Sequence, residues 1–325
     1  MIATLKSHKV LVTGASGFVG SALCSYLIKH GHNVTGTVRK LPVSPVSGVD
    51  YRIVGDLGTS AAWGDDIFSE VEIIIHCAAR VHVMNEYAQN PLDEFRRINT
   101  QGTETLARSA ANTGVRRLIF LSSVKVNGES SSLSSPIDEM SPTIPKDYYG
   151  ISKLEGEKSL RNVADETGLE TVIFRLPLVY GPGVKGNFIK LLKMVDRGVP
   201  LPFSLVNNLR SLININNLTD VVGVCLTDPR AVGRTYMVSD GEDISTVRLI
   251  IKMAHALERP VRLWPCPLRL IELAGMLAGR SDEVSRILGS LRINSKKIHS
   301  ELGWVPTHTL TQGLSQISAW YHRRN

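Results

Sequence analysis

Residues 9–31 constrain the fold most. KVLVT at 9–13 is a short apolar run that ends in the glycine-rich GASGFVG, after which Val19, Leu23, Leu27 and Ile28 recur at helical spacing until Gly31. This reads as strand, tight turn, helix. Further apolar runs at 34–38, 51–54, 71–77, 118–121 and 171–176 alternate with helical stretches such as 92–112 and 149–166. Such alternation predicts an α/β fold, a Rossmann-type doubly wound parallel sheet covered by helices on both faces. Beyond Leu176 the series stops and prolines and glycines cluster in LPLVYGPGVKG. The expected division is a dinucleotide-binding domain over 1–178 and a smaller C-terminal α/β substrate domain over 179–325, with part of 211–238 a candidate to return to the sheet.

Composition narrows the class. At 43% hydrophobic and 21% charged residues, the 325-residue chain is globular rather than disordered or fibrous. Its net charge of +7 is scattered, and no basic stripe with interleaved aromatics favours nucleic acid. Cys24, Cys77, Cys225 and Cys266 have no metal-ligand spacing, so free thiols and no metal are expected. The most apolar stretch, 268–278, is interrupted by Arg269 and Glu272, and the N-terminus lacks a signal-peptide core. A cytoplasmic protein without a transmembrane segment is the expectation.

Gly14, Gly17 and Gly20 follow a strand and open a helix, the context in which a backbone approaches a pyrophosphate and a helix N-terminus receives its charge. An acidic residue at the end of the second strand would select a ribose 2'-hydroxyl. Here Val38 holds that place and Arg39 with Lys40 follow, which suits a 2'-phosphate, so NADP(H) is favoured and NAD(H) stays open. Asp56 in VGDL is placed to meet the adenine ring.

Tyr149 and Lys153 in YYGISK lie four apart and share one helix face. An ammonium there is expected to favour the phenolate and bring the phenol toward working pH. Ser123, in LIFLSSVKVNG at the mouth of a strand, can hydrogen-bond the oxygen that gains or loses a proton.

Together these segments resemble the extended short-chain dehydrogenase/reductase family, of the NAD-dependent epimerase/dehydratase type: TGASGFVG, IIIHCAA, RINTQGT, SSVKVNG and YGISK occur in the family's order. FRLPLVYGPG, NLRSLININNL and ELGWVP extend the likeness over nearly the whole chain. The resemblance implies an enzyme with bound NAD or NADP and hydride exchange at a sugar carbon. It implies Ser123, Tyr149 and Lys153 as the catalytic three, Lys153 also holding the nicotinamide ribose, and Asn99 fixing the active-site helix. Phe18, Val19, Leu57, Ala78, Ala79 and Pro177 are assigned to cofactor binding with the residues above. Arg210 is implied as a diphosphate ligand, Asn187 and Phe188 as the frame of the substrate nucleotide, and a homodimer as the assembly.

Departures from the family pattern are Asn127 for Tyr in VYG and Leu178 for a substrate-contacting Asn. An RPGD-like clamp is absent, with SLRINSKK in its region. AARVHVM, SSVKVNG, RLPLVYGPG and NLRSLI are most similar to bacterial surface-polysaccharide reductases that convert UDP-2-acetamido-2,6-dideoxy-hexulose to UDP-N-acetylquinovosamine or its fucosamine epimer. A UDP-hexose 4-epimerase acting on UDP-glucose or UDP-N-acetylglucosamine is the alternative, and a non-catalytic dinucleotide-binding regulator the second. His76 reads as a packed residue near the cofactor; Arg80 and His82 follow it, and no spacing demands that they line the sugar pocket. Lys125 faces either substrate or solvent. The amphipathic segment 265–279 reads as packing on the substrate domain, with a membrane-surface or partner-helix role as the sharper alternative.

Overall fold

The structure, a computed structural model, describes residues 7–59, 63–81 and 90–323. In chain order its strands are β1 (Lys9–Thr13), β2 (Asn33–Val38), β3 (Val49–Ile53), β4 (Ile73–His76), β5 (Arg117–Ser123), β6 (Glu170–Leu176), β7 (Leu178–Tyr180), β8 (Leu212–Asn214) and β9 (Arg234–Met237). Its helices are α1 (Phe18–Lys29), α2 (Pro91–Arg96), α3 (Gly102–Asn112), α4 (Tyr148–Thr167), α5 (Gly186–Asp196), α6 (Ile215–Cys225), α7 (Thr246–Ala256), α8 (Leu268–Leu277), α9 (Ser281–Leu288), α10 (Lys296–Leu302) and α11 (Leu310–His322). His82 lies outside the described residues.

Among the described residues one all-parallel sheet has the order β3-β2-β1-β4-β5-β6-β9. Chain order reverses about β1, whose Thr13 lies opposite Thr37 of β2 and His76 of β4. Ligand crevices in sheets of this kind open at the carboxyl ends of the strands beside that reversal. The central strands are apolar runs because helices cover both faces. Side chains alternate across a strand, so Val10, Val12, Ile73, Ile75 and Ile119 pack with α1 and α6. Leu11, Ile74, Leu118 and Phe120 pack on the opposite face with α3 and α4.

The helical run anticipated over 92–112 is divided. A wider, π-type turn at Arg97–Gln101 separates α2 from α3 and carries the buried Asn99. Single π turns inside helices are frequent at functional sites. The seventh strand, β9, comes from beyond residue 178, and α6 joins α1 against the sheet. A second core forms around Tyr180, Phe188, Leu192, Ile250 and Leu314, beside the parallel pair β7–β8. The segment 265–279 is helical only over α8, which buries Ile271 and Gly275 and leaves most of its other side chains exposed.

Gly14 has φ +67°, and a Cβ there would stand 3.0 Å from the Cα and N of Ala78. Gly14→Ala should therefore destabilise the fold by at least the roughly 1–2 kcal/mol of a left-handed alanine, read as a lower midpoint in urea. An unchanged midpoint would show that the turn relaxes.

Candidate active site

The phosphate side of the crevice is built from the first turn. Gly17 caps α1 without a side-chain acceptor, and no acidic residue stands in the first turn. The uncapped N–H groups and the positive dipole end are thus left to an anion. With the backbone of Gly14 pressed on Ala78, these residues fit a dinucleotide pyrophosphate. Arg39 is exposed just past β2. Asp56 accepts from Gly58 N–H (3.0 Å) and pairs with Arg97. Burial pushes its carboxyl up, but Gly58, Arg97 and, more weakly, Arg39 outweigh this and hold it below the carboxylate range. Any adenine contact at this rim therefore meets an Asp56 side chain already bound to Arg97. Phe18, Val19, Leu57, Ala78 and Ala79 are partly buried, and Pro177 is buried between β6 and β7.

From the same turn a hydrogen-bond chain runs to α4. Thr13 Oγ1 accepts from the N–H groups of Cys77 and Ala78, both at 3.1 Å. Its one proton then goes to His76 Nδ1, 2.7 Å away. Thr103 Oγ1 donates to the Asn99 carbonyl (2.7 Å) and so accepts from His76 Nε2 at 3.1 Å. The neutral Nε2–H tautomer follows. Asn99 Oδ1 accepts from Arg80 N–H (2.7 Å), and its Nδ2 donates to the Arg80 carbonyl and to Ser152 Oγ, both at 2.9 Å. Ser152 closes the chain by donating to the carbonyl of Tyr149 (2.9 Å).

α4 begins at Asp147, whose carboxylate accepts from Gly150 N–H (2.7 Å) as an N-cap. Lys125 is only 20% exposed and does not stand free in solvent. It forms ion pairs with Asp147 and with Glu129, the latter at 2.6 Å. Ser123 ends β5, and its Oγ accepts from Lys125 N–H (3.2 Å). Lys153 is fully buried, with Nζ 3.7 Å above the Phe120 ring. Burial drives it down to about 7, against the opposing pull of Glu157 and Cys77. Tyr149 is pushed up, first by burial and then by the charge of Asp147. The expected lowering of the phenol by Lys153 is thus not seen. A desolvated lysine gives up its charge, and an anion-raising carboxylate stands two residues from the phenol.

One turn on, Glu157 is completely buried and takes a bidentate pair from Arg175 (2.7 and 3.1 Å) and a hydroxyl from Ser122 (2.6 Å). Asn127, a departure from the family pattern, accepts from Arg175 at 3.2 Å and donates to the carbonyls of Ser141 and Pro142. This network was missed in the sequence. Its signals were a carboxylate four residues after Lys153 and an arginine inside the apolar strand FRL. Glu157→Ala would strand Arg175 in the core, and breaking one partner from a buried pair costs about 3–5 kcal/mol. Urea unfolding should report a loss of that size.

On the substrate side, Arg210 donates to the carbonyls of Arg286 (2.8 Å) and Gly289 (3.1 Å). Burial and the neighbouring Arg286 lower its pKa, Glu129 opposing them. Arg286 Nε is buried with no hydrogen-bond partner, and its nearest carboxylate, Glu129, is 3.8 Å away. Two neighbouring guanidinium groups with so little compensation favour an anion beside them. Arg286 was not singled out from sequence, since it lies just before SLRINSKK without a recognisable motif. Arg292, within it, is neutralised by Asp243 at 2.6 Å. Asn187 is exposed on the first turn of α5, Phe188 is buried against Tyr180, and Leu178 is exposed. The guanidinium of Arg80 stands 5.4 Å over the Phe95 ring.

The model of the NAD dependent epimerase/dehydratase family matches residues 10–239, and the chain belongs to that family. It is an enzyme family. A UDP-glucose 4-epimerase of Vibrio cholerae is 40% identical over 97% of this chain and 96% of its own length. An N-acetyl-α-D-glucosaminyl-diphospho-ditrans,octacis-undecaprenol 4-epimerase of Escherichia coli O157:H7 is 25% identical over 95% and 94%. The Bordetella bronchiseptica enzyme WbmG, solved in complex with NAD and UDP, superimposes with a TM-score of 0.75 at 20% identity, covering 99% of this chain and 96% of that one.

His76, sealed between Thr13 and Thr103, is pushed down to about 3 from 6.5 by burial and then by Lys153. Between those values the unfolded chain binds one proton more than the folded one. Stability present above 6.5 should thus fall as pH drops toward 3, by up to about 1.4 kcal/mol per pH unit from this group. His76→Gln should flatten that slope in denaturation at a series of pH values. An identical slope would remove His76 as its source.

Proposed function

We propose that this enzyme carries out redox chemistry at C4 of a UDP-linked sugar, most specifically the reduction of UDP-2-acetamido-2,6-dideoxy-hexulose to UDP-N-acetylquinovosamine or UDP-N-acetylfucosamine. The observation that carries the reading is α4. Tyr149 and Lys153 share its face and its first turn is fixed by Asp147, while Ser123 ends the adjacent β5. Bound nicotinamide supplies the hydride. Tyr149, kept protonated by burial, donates to the oxygen of the sugar carbonyl, and Ser123 hydrogen-bonds that oxygen. Lys153, with Nζ near neutrality, orients the ribose through a hydrogen bond and gains full charge when an anionic partner enters the crevice. Arg210 and Arg286 hold the diphosphate. Tyr149→Phe should lower turnover at least about a hundredfold with cofactor affinity nearly kept. Arg210→Ala or Arg286→Ala should weaken apparent substrate affinity by about 1.5–3 kcal/mol without altering cofactor binding.

NADP(H) selection is supported by the exposed Arg39 and the lack of a carboxylate at the end of β2, within a family described as NAD dependent. Arg39→Asp should swing preference toward NADH, and a parent enzyme that already prefers NADH would overturn this part.

The 40% identical Vibrio relative favours a second reading, epimerisation at C4 of UDP-glucose or UDP-N-acetylglucosamine by the same residues. One incubation separates the two. A reductase consumes one equivalent of NADPH per keto sugar and gives a single 6-deoxy product. Interconversion of UDP-glucose or UDP-N-acetylglucosamine with its C4 epimer without added cofactor, and no NADPH loss on the keto sugar, would establish the second reading.

A further inference from the structure

We propose that α8 seats the enzyme on an anionic phospholipid surface, with its outward face lying in the headgroup region. The buried side of α8 is narrow. Ile271 and Gly275, four apart, face inward, and a Cβ on Gly275 would meet Val284 of α9 at 2.5 Å. On the opposite side Leu270, Leu273, Met276 and Leu277 are 55, 49, 67 and 81% exposed. Their spacing makes one continuous apolar stripe rather than scattered surface leucines. Trp264, just before the helix, is 46% exposed, and an indole with one apolar and one polar edge suits a membrane–water boundary.

Charge identifies the occupant. Arg262, Arg269 and Arg280 accompany the stripe, and none makes an ion pair among the described residues. Arg262 donates only to the carbonyl of Gly198 (3.1 Å). Glu272 is the one carboxylate of α8. A second copy meeting this face across a two-fold would set Arg269 and the stripe against their own copies, with Glu272 the one acidic residue of that helix and the acidic pair Asp282 and Glu283 set on α9. Anionic headgroups neutralise the arginines while acyl chains accept the leucines, and the chain's net charge of +7 acts in the same direction. α9, the other arm of this hairpin, carries Arg286 to the guanidinium pair at Arg210, so a seated α8 brings that pair close to the bilayer.

The test is co-sedimentation with vesicles of phosphatidylethanolamine and phosphatidylglycerol (3:1) and with vesicles of phosphatidylcholine alone. The wild-type chain should sediment with the anionic vesicles and remain free of the neutral ones. Binding should fall at least tenfold in 0.5 M salt, where charge interactions are screened within about 3–5 Å. The double variant Leu273→Asp, Leu277→Asp and the single variant Arg269→Glu should each lose at least tenfold, with unchanged thermal unfolding because all three side chains are exposed. Absence of binding by the wild-type chain, or binding unaffected by these substitutions, would overturn the proposal. So would a wild-type dimer that becomes a monomer in the double variant with vesicle binding intact, which assigns the face to a second copy.

Discussion

The hydroxyl of Thr13 is the point from which the site is organised. It stands at the end of β1, accepts the N–H groups that begin the loop after β4, and gives its proton to His76. A hydroxyl has one proton to give, so each later bond in the chain has a defined direction and His76 a single tautomer. Through Thr103, Asn99 and Ser152 that direction reaches the backbone of Tyr149. The glycine turn that would hold a pyrophosphate and the helix that presents the phenol are thereby parts of one hydrogen-bonded assembly. The π-type turn at Arg97–Gln101 makes the link possible by bringing Asn99 against α4.

Removal of charge from water is the second constraint. His76, Lys153 and Tyr149 all shift toward their neutral forms, with burial as the leading cause for each. The charges that do remain inside are matched, as in Glu157 with Arg175, or held by a second ion at the rim, as in Asp147 with Lys125. Arg210 and Arg286 are less fully compensated, because Arg210 donates to carbonyls and Arg286 reaches Glu129 only at 3.8 Å. This local excess of positive charge favours an anionic ligand.

Sequence reading went furthest where chemistry is local. The strand–turn–helix at 9–31 was visible because a buried parallel strand needs a continuous apolar run and α1 keeps its apolar residues at helical spacing. The YxxxK pair was visible because four residues make one helical turn. Asn127 and Leu178 were legible only as departures, and their surroundings were not: Asn127 serves Arg175 from a different element, while Leu178 stands exposed at the start of β7. Phe188, assigned to the substrate nucleotide by resemblance, has its ring in the core against Tyr180.

The sequence by itself determined the alternation of strands and helices as far as residue 176, the glycine turn, the placing of Tyr149 and Lys153 on one face of α4 and the family, since each is carried by spacing within a few residues or by motifs in order. Tertiary structure alone decided which groups are charged and which are joined. Thr13 meets His76 across 63 residues, Ser122 meets Glu157 across 35, and Arg210 meets Arg286 across 76. Hydrogen bonding and desolvation depend on distance in space and on the exclusion of water. Neither quantity is written in the spacing of residues along a chain.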